Sequence, residues 1–217
     1  MQLYSLTFNA FQENTYLLAD EDGAAVVIDP GMSDQAEEQT FDAFVREKNL
    51  ELQACWLTHA HLDHILGLSH IAKVYGLQPH LHLGERPVYE AATRQAAMYG
   101  MALAPLPEAI YSFEDGATVA IGKESSGLTA KLILAPGHSP ASICFHVASE
   151  NTLIGGDVLF RDSIGRTDLP GGDHETLLSS IRKNIYSLPS DTTVWPGHGP
   201  KTRIDYERAN NPFVRPS

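Results

Sequence analysis

Residues 55–64 read CWLTHAHLDH, an apolar run that ends in a dense cluster of metal-binding side chains. Residues 54–58, ACWLT, have the length and residue types of a short buried strand. The chain passes straight from it into Thr58-His59-Ala60-His61-Leu62-Asp63-His64. Imidazole nitrogens and carboxylate oxygens are the groups that hold zinc and similar divalent ions near neutral pH. Four such residues fall within six positions, His59, His61, Asp63 and His64. Roughly one random shuffle in a thousand of this composition would contain His-x-His-x-Asp-His, so a polar surface turn is a poor account of it.

Three further segments repeat the plan of an apolar strand, a glycine turn and then a ligand-type residue. They are LILAPGH ending at His138, TLIGGD ending at Asp157 and TVWPGH ending at His198. In an α/β sheet, sites gather beyond the carboxyl ends of strands, where turns bring distant segments together. Seven ligand residues are more than one tetrahedral ion can use, so the count points to two metals. The division that suits them gives His59, His61 and His138 to one ion and Asp63, His64 and His198 to the other. Asp157, with two carboxylate oxygens, spans both. Zinc is the first expectation, with iron or manganese as alternatives.

The rest of the chain supplies a scaffold. LYSLTF, NTYLLAD and AAVVID read as strands, the last stopped by Pro30-Gly31. Residues 34–49 have helical spacing behind a Ser33 or Asp34 cap, and ILGLSHIAKVY repeats it up to Gly76. A third helix is expected from Pro87 to about Tyr99. Strand-like runs follow at TVAI, AKLILA, SICFHV and NTLIG. A last helix is capped by Asp173, carries Leu177, Leu178, Ile181, Ile185 and Leu188 on its apolar face, and is stopped by Pro189; TTVW is the final strand. Strands and helices alternate in two rounds, which predicts a layered α/β architecture in a single domain, residues 1–217, without an internal linker.

Composition narrows the function classes. The chain has 217 residues, 43% hydrophobic and 19% charged, the profile of an ordinary globular protein. A formal net charge of −12 disfavours nucleic acid as a partner. No segment approaches the length of a membrane span, and the N-terminus lacks the features of a secretion signal. Cys55 and Cys144 both lie in apolar runs and read as reduced, buried thiols, which fits a cytoplasmic protein.

THAHLDH, PGH at 136–138, GD at 156–157 and PGHGP at 196–200 together resemble the metallo-β-lactamase superfamily, and within it the glyoxalase II-like branch. GRTDLPGGD (165–173) and ERANNPF (207–213) look like its short hydroxyacylglutathione hydrolase-like members. The resemblance covers nearly the whole chain. It implies a four-layer αβ/βα sandwich, the same division of ligands between two metals, and a C-terminal helical glutathione-binding domain that is missing here, since 19 residues follow His198. It implies hydrolysis of a thioester such as S-lactoylglutathione by a metal-bridging hydroxide, with Asp63 orienting that hydroxide as well as binding metal. Arg166 stands about where the family has a basic glutathione contact, although Asp168 takes the place of the expected aromatic. Arg166 therefore reads either as a contact for a substrate carboxylate or as a salt-bridged surface residue. A persulfide dioxygenase with one iron, a lactonase and a β-lactamase are the alternatives on the same fold. The partner expected is a small (thio)ester, with neither nucleic acid nor membrane; the oligomeric state is open.

Several other residues carry two readings. Asp29, in VIDPG, is a turn residue or a partner that orients a metal-binding histidine. His70 and His146 read as structural, His80 and His82 as solvated histidines on a strand-like QPHLHLG. His174 also lies outside the ligand stations. Met98, Tyr99 and Met101 either line the mouth of the site or pack.

Overall fold

The computed structural model describes residues 1–122 and 127–215. The chain opens with an antiparallel meander, β1 (Gln2–Phe8), β2 (Glu13–Ala19) and β3 (Ala24–Ile28), and then changes to parallel crossovers. Helix α1 (Gln35–Glu47) leads to β4 (Glu51–Trp56), α2 (Leu68–Tyr75) to β5 (Pro79–His82), and α3 (Arg86–Met98) to β6 (Ile110–Phe113). Pairing in chain order gives a six-stranded sheet, β1-β2-β3-β4-β5-β6, whose last three contacts are parallel.

The second half repeats the scheme. β7 (Thr118–Ala120), β8 (Thr129–Leu134), β9 (Ile143–Val147) and β10 (Thr152–Gly156) form an antiparallel run. A small hairpin follows, β11 (Leu159–Phe160) with β12 (Ser163–Ile164). Helix α4 (His174–Ser180) then brings β13 (Thr193–Pro196) parallel to β10, and β14 (Thr202–Arg203) closes the edge before α5 (Ile204–Asn210). The second sheet runs β14-β13-β10-β9-β8-β7.

Side-chain alternation builds the layers, because successive residues of a strand point to opposite faces. On β2, Tyr16 and Leu18 face the other sheet while Leu17 and Ala19 face the helices. The inter-sheet core sets Val26, Ile28 and Trp56 against Ile143, Phe145 and Ile154, with Trp56 stacked on Phe145 at 5.1 Å. Outside the first sheet, Leu17, Val27 and Leu57 bury Phe41 of α1, Ile71 of α2 and Ala92 of α3. Outside the second, Cys144, Leu153 and Val194 bury Leu177, Ile181 and Ile204. Strands covered on both faces read as continuous apolar runs, as AAVVI and ICFHV do. The expected αβ/βα sandwich is the fold of this chain.

Local signals fixed most helix ends. Asp34, rather than Ser33, caps α1 by accepting from the amides of Ala36 and Glu37. Gly76 closes α2 at φ 70, and Asp173 caps α4 through the Thr176 amide. The last long helix differs from expectation in one respect: after Ser180 it widens into a π-helical turn, 181–185, which still buries Ile181 and Ile185. The two thiols lie in the cores on opposite outsides of the sandwich, so they cannot pair, and burial pushes the Cys144 thiol up to about 12. Asn14 is buried, and its amide donates to the carbonyls of Pro196 and Gly199, tying β2 to the His198 turn. Among the described residues no helix is long and apolar enough to cross a membrane.

Candidate metal centre

The four ligand segments leave the carboxyl ends of β4, β8, β10 and β13 and converge at one edge of the sandwich. A backbone hydrogen bond from Ile143 to the Thr58 carbonyl joins the sheets there, and the amides of Asn14 and Gly197 bond to the Gly197 and Gly156 carbonyls. Two glycines permit the approach. Gly156 has φ 50, and a Cβ on it would stand 2.5 Å from the Thr58 hydroxyl. At Gly197 a Cβ would collide with the Asp157 carboxylate.

Six of the seven sequence-predicted residues come together in two clusters, and the seventh lies between the two. The donor atoms of His59, His61 and His138 lie within 4.8 Å of one another, as do those of Asp63, His64 and His198. In the first, His138 Nε2 is 2.8 Å from His61 Nδ1 and 3.2 Å from His59 Nε2. In the second, Asp63 Oδ2 is 3.0 Å from His198 Nε2 and 3.7 Å from His64 Nε2. Asp157 stands between them. Its Oδ2 is 3.5 Å from both His138 Nε2 and His198 Nε2, and its Oδ1 is 3.5 Å from His64 Nε2.

The residues fit a pair of cations. His64 Nε2 and Asp157 Oδ1 are buried polar atoms with no hydrogen-bond partner among the described residues, an expensive arrangement unless an ion satisfies both. Four of the five histidines have their far nitrogen engaged, which sets the ring and frees the near nitrogen's lone pair. His138 Nδ1 donates to the Arg166 carbonyl at 2.8 Å and His198 Nδ1 to the Phe11 carbonyl at 3.0 Å. His64 Nδ1 meets Asp29 Oδ2 at 3.0 Å; His59 Nδ1 meets the Thr58 hydroxyl at 2.9 Å, which itself donates to Asp29. Asp29 also accepts the Thr58 amide.

Both readings of Asp29 are therefore realised. It takes a left-handed turn, φ 51, and its carboxylate orients one histidine of each cluster. Asp29, His59 and His64 also form a compact group, but Asp29 meets His64 on the nitrogen facing away from Asp63 and Asp157, so it positions the rings. An Asp29→Asn protein is expected to bind metal about 10- to 100-fold more weakly, measured by competition with a chromophoric chelator. An unchanged affinity would dismiss the orienting role.

Electrostatics separates the clusters in the metal-free chain. Burial, reinforced by neighbouring histidines, pushes His59 well below the ordinary imidazole range and His61 to about 3; burial lowers His138 too. These three are neutral, as ligands must be. Burial alone would lower His64, but Asp63 and Asp157 outweigh it, and the Asp63 hydrogen bond likewise raises His198. Burial would raise Asp157 and Asp63, yet the surrounding histidines hold both carboxyls below the usual range.

Two further buried carboxylates brace the site. Glu85 accepts the Ala60 amide through Oε2, and the Ser139 hydroxyl and Ala141 amide through Oε1, clamping the His59/His61 loop to the His138 loop. Glu13 lies behind His64 with Oε1 at 3.9 Å, accepts the Thr15 hydroxyl, and is raised well above the carboxylate range by burial. No local pattern marks either; both are acidic residues in ordinary polar turns of sequence. Of the side histidines, His70 bonds to Asp42, His80 to Ser112, and His82 accepts the Gly84 amide. His146 packs in β9, its Nε2 without a hydrogen-bond partner among the described residues.

A cleft of about 590 Å³ opens over the cluster, with His61, Asp63, His138, Asp157 and His198 on its floor. Met98, Tyr99 and Arg166 line it; Met101 does not. The Arg166 fork is held by Asp168, Nε to Oδ1 at 2.7 Å and Nη2 to Oδ2 at 2.8 Å.

Comparison with known proteins agrees with this geometry. The family described as the metallo-beta-lactamase superfamily matches residues 8–198. The hydroxyacylglutathione hydrolase GloC of Haemophilus influenzae is 32% identical over 217 residues, 99% of this chain and 98% of that protein. The BLEG-1 B3 metallo-beta-lactamase superposes with a TM-score of 0.86 at 34% identity, covering 98% of this chain and 99% of that one. TTHA1623 in a di-iron-bound form does so with a TM-score of 0.86 at 36% identity, covering 97% and 100%.

Proposed function

The chain belongs to the metallo-beta-lactamase superfamily and is a metallo-hydrolase of that group, and from this premise we propose that it cleaves acyl thioesters with two metal ions, S-lactoylglutathione being the first substrate to try. The observation that carries the proposal is Asp157, a carboxylate 3.5 Å from nitrogens of both clusters. His59, His61 and His138 would hold one ion, Asp63, His64 and His198 the other, and Asp157 would serve both. Two divalent ions there would supply an acidified water and a Lewis acid for the carbonyl oxygen. Zinc suits the nitrogen-rich set; the di-iron form of TTHA1623 keeps iron in view, and manganese is the third option.

The protein's own groups position and shield. Asp63 lies on the cleft floor, where its carboxylate would accept a hydrogen bond from the attacking water and aim a lone pair at the substrate. Water adds to the thioester carbonyl, the carbon–sulfur bond breaks, and acid and thiol are released. A thiolate leaves without help, since free thiols have a pKa of about 8.5. A thioester therefore needs no general acid from the protein, whereas the amide nitrogen of a β-lactam would need one. Arg166 lines the cleft with its Nε and Nη2 held by Asp168, so a substrate carboxylate would have to compete with that pair. The likeness to BLEG-1 keeps a β-lactam as the second reading. A mononuclear persulfide dioxygenase would leave the Asp63/His64/His198 cluster without a role. The two buried free thiols fit a reducing, cytoplasmic setting.

Metal analysis coupled to turnover tests this. Two ions per chain are expected, with S-D-lactoylglutathione hydrolysed faster than a β-lactam or a homoserine lactone. One iron per chain with oxygen uptake on glutathione persulfide would overturn the hydrolase. A faster β-lactam would move the enzyme to the second reading.

A further inference from the structure

Resting on the thioester reading, we infer that the thiol half of the substrate is apolar and uncharged, and that the Arg166–Asp168 pair sets this specificity. The cleft wall above the histidines is built from Phe11, Met98, Tyr99, Phe160, Leu169 and Pro170. They come from three separate segments: the turn between β1 and β2, the end of α3, and the stretch after β10. Met98 is 80% exposed, Tyr99 58% and Phe11 44%, and the rings of Phe11 and Tyr99 meet edge to face at 6.5 Å. Scattered apolar side chains on a surface mean little, but a group of them rimming a concave site marks a binding surface.

Charge in the cleft points the same way. Among the described residues lining it, Arg166 is the one arginine or lysine, and its Nε and Nη2 are bonded to the two carboxylate oxygens of Asp168. The hydrogen bonds from Arg166 hold the Asp168 carboxyl at about 2, so the pair is fully ionised and neutral as a unit. Glutathione carries two carboxylates and an ammonium. Recognising them takes dedicated ionic partners, and the cleft offers one cation that already has its counter-charge. An alkyl or similarly apolar thiol half instead covers Met98, Tyr99 and Phe11 and needs no ionic partner. The pair is exposed and hence weak, so it tilts preference rather than forbidding an anion.

The test uses metal-loaded protein and a series of S-lactoyl thioesters of ethanethiol, butanethiol and hexanethiol beside S-lactoylglutathione. An alkanethiol leaves no more readily than the glutathione thiol, so any preference for it reflects binding. Along the series KM is expected to fall about threefold per methylene with kcat little changed, until the cleft is filled. Met98→Ser should flatten the series. Asp168→Ala, and more mildly Asp168→Asn, should shift the glutathione-to-hexyl ratio of kcat/KM about two- to fivefold toward glutathione by freeing Arg166. A flat alkyl series with S-lactoylglutathione well above it, lost in Arg166→Ala, would overturn the inference. Binding of two uncleavable thioethers, hexyl 2-hydroxypropyl sulfide and S-(2-hydroxypropyl)glutathione, separates the two claims by calorimetry. Tighter binding of the hexyl compound without turnover of any thioester would sustain the apolar cleft and sink the hydrolase. Tighter binding of the glutathione compound would sink the apolar cleft whatever the turnover.

Discussion

Asp157→Ala protein is expected to lose metal from both clusters and to fall about a thousandfold in kcat/KM, as metal analysis and thioester kinetics would record. The reason is position. Each other ligand belongs to one cluster, whereas Asp157 reaches His138 of the first and both His64 and His198 of the second. Its carboxyl is ionised in the metal-free chain, so it also neutralises the charge that histidines and a cation would otherwise share. Alanine removes two donor oxygens and that charge at once. A His61→Ala protein touches the first cluster alone and should still bind an ion at Asp63, His64 and His198. Should Asp157→Ala keep both its metal content and its turnover, the assignment of ligands is wrong.

The ligand set could be read from the chain because its chemistry is local. THAHLDH packs four donors into six positions, and PGH, GD and PGH each follow an apolar strand with a glycine turn. The scaffold was legible for a related reason: strands such as AAVVI and ICFHV are buried on both faces, and helices α1, α2 and α4 carry a cap or a stop in the sequence. What holds the ligands was harder to see. The acceptors that orient His138 and His198 are main-chain carbonyls, of Arg166 and Phe11, and any residue type has one. Glu85 acts on residues 25, 54 and 56 positions away, beyond any local pattern. β6, β14 and α5 are short elements whose formation depends on tertiary partners; α5 begins without a side-chain cap. The wide turn at 181–185 keeps the apolar face of its helix, so periodicity alone gives no sign of it.

Glu85→Ala is the second large effect expected, and it falls on stability before activity. Glu85 is fully buried, and its two oxygens satisfy the Ala60 amide, the Ala141 amide and the Ser139 hydroxyl. Alanine would leave two buried backbone donors unpaired; Ser139 could still turn to Ser142, 2.6 Å away. Each unsatisfied donor costs on the order of 1–3 kcal/mol, so a loss of about 3–5 kcal/mol is expected once the cavity is included. That is a large share of a typical domain's stability and corresponds to about 10 °C in the thermal midpoint. Glu85→Gln separates charge from hydrogen bonding. Its carbonyl can serve the Ser139/Ala141 side, but its amide would then face the Ala60 amide donor to donor, so it should recover only part of the loss. Because the clamp joins the loop of His59 and His61 to that of His138, metal affinity at the first cluster should drop with it, and more than at the second. A melting midpoint within about 2 °C of the parent, metal-free and loaded alike, would mean that the two loops hold their geometry without Glu85.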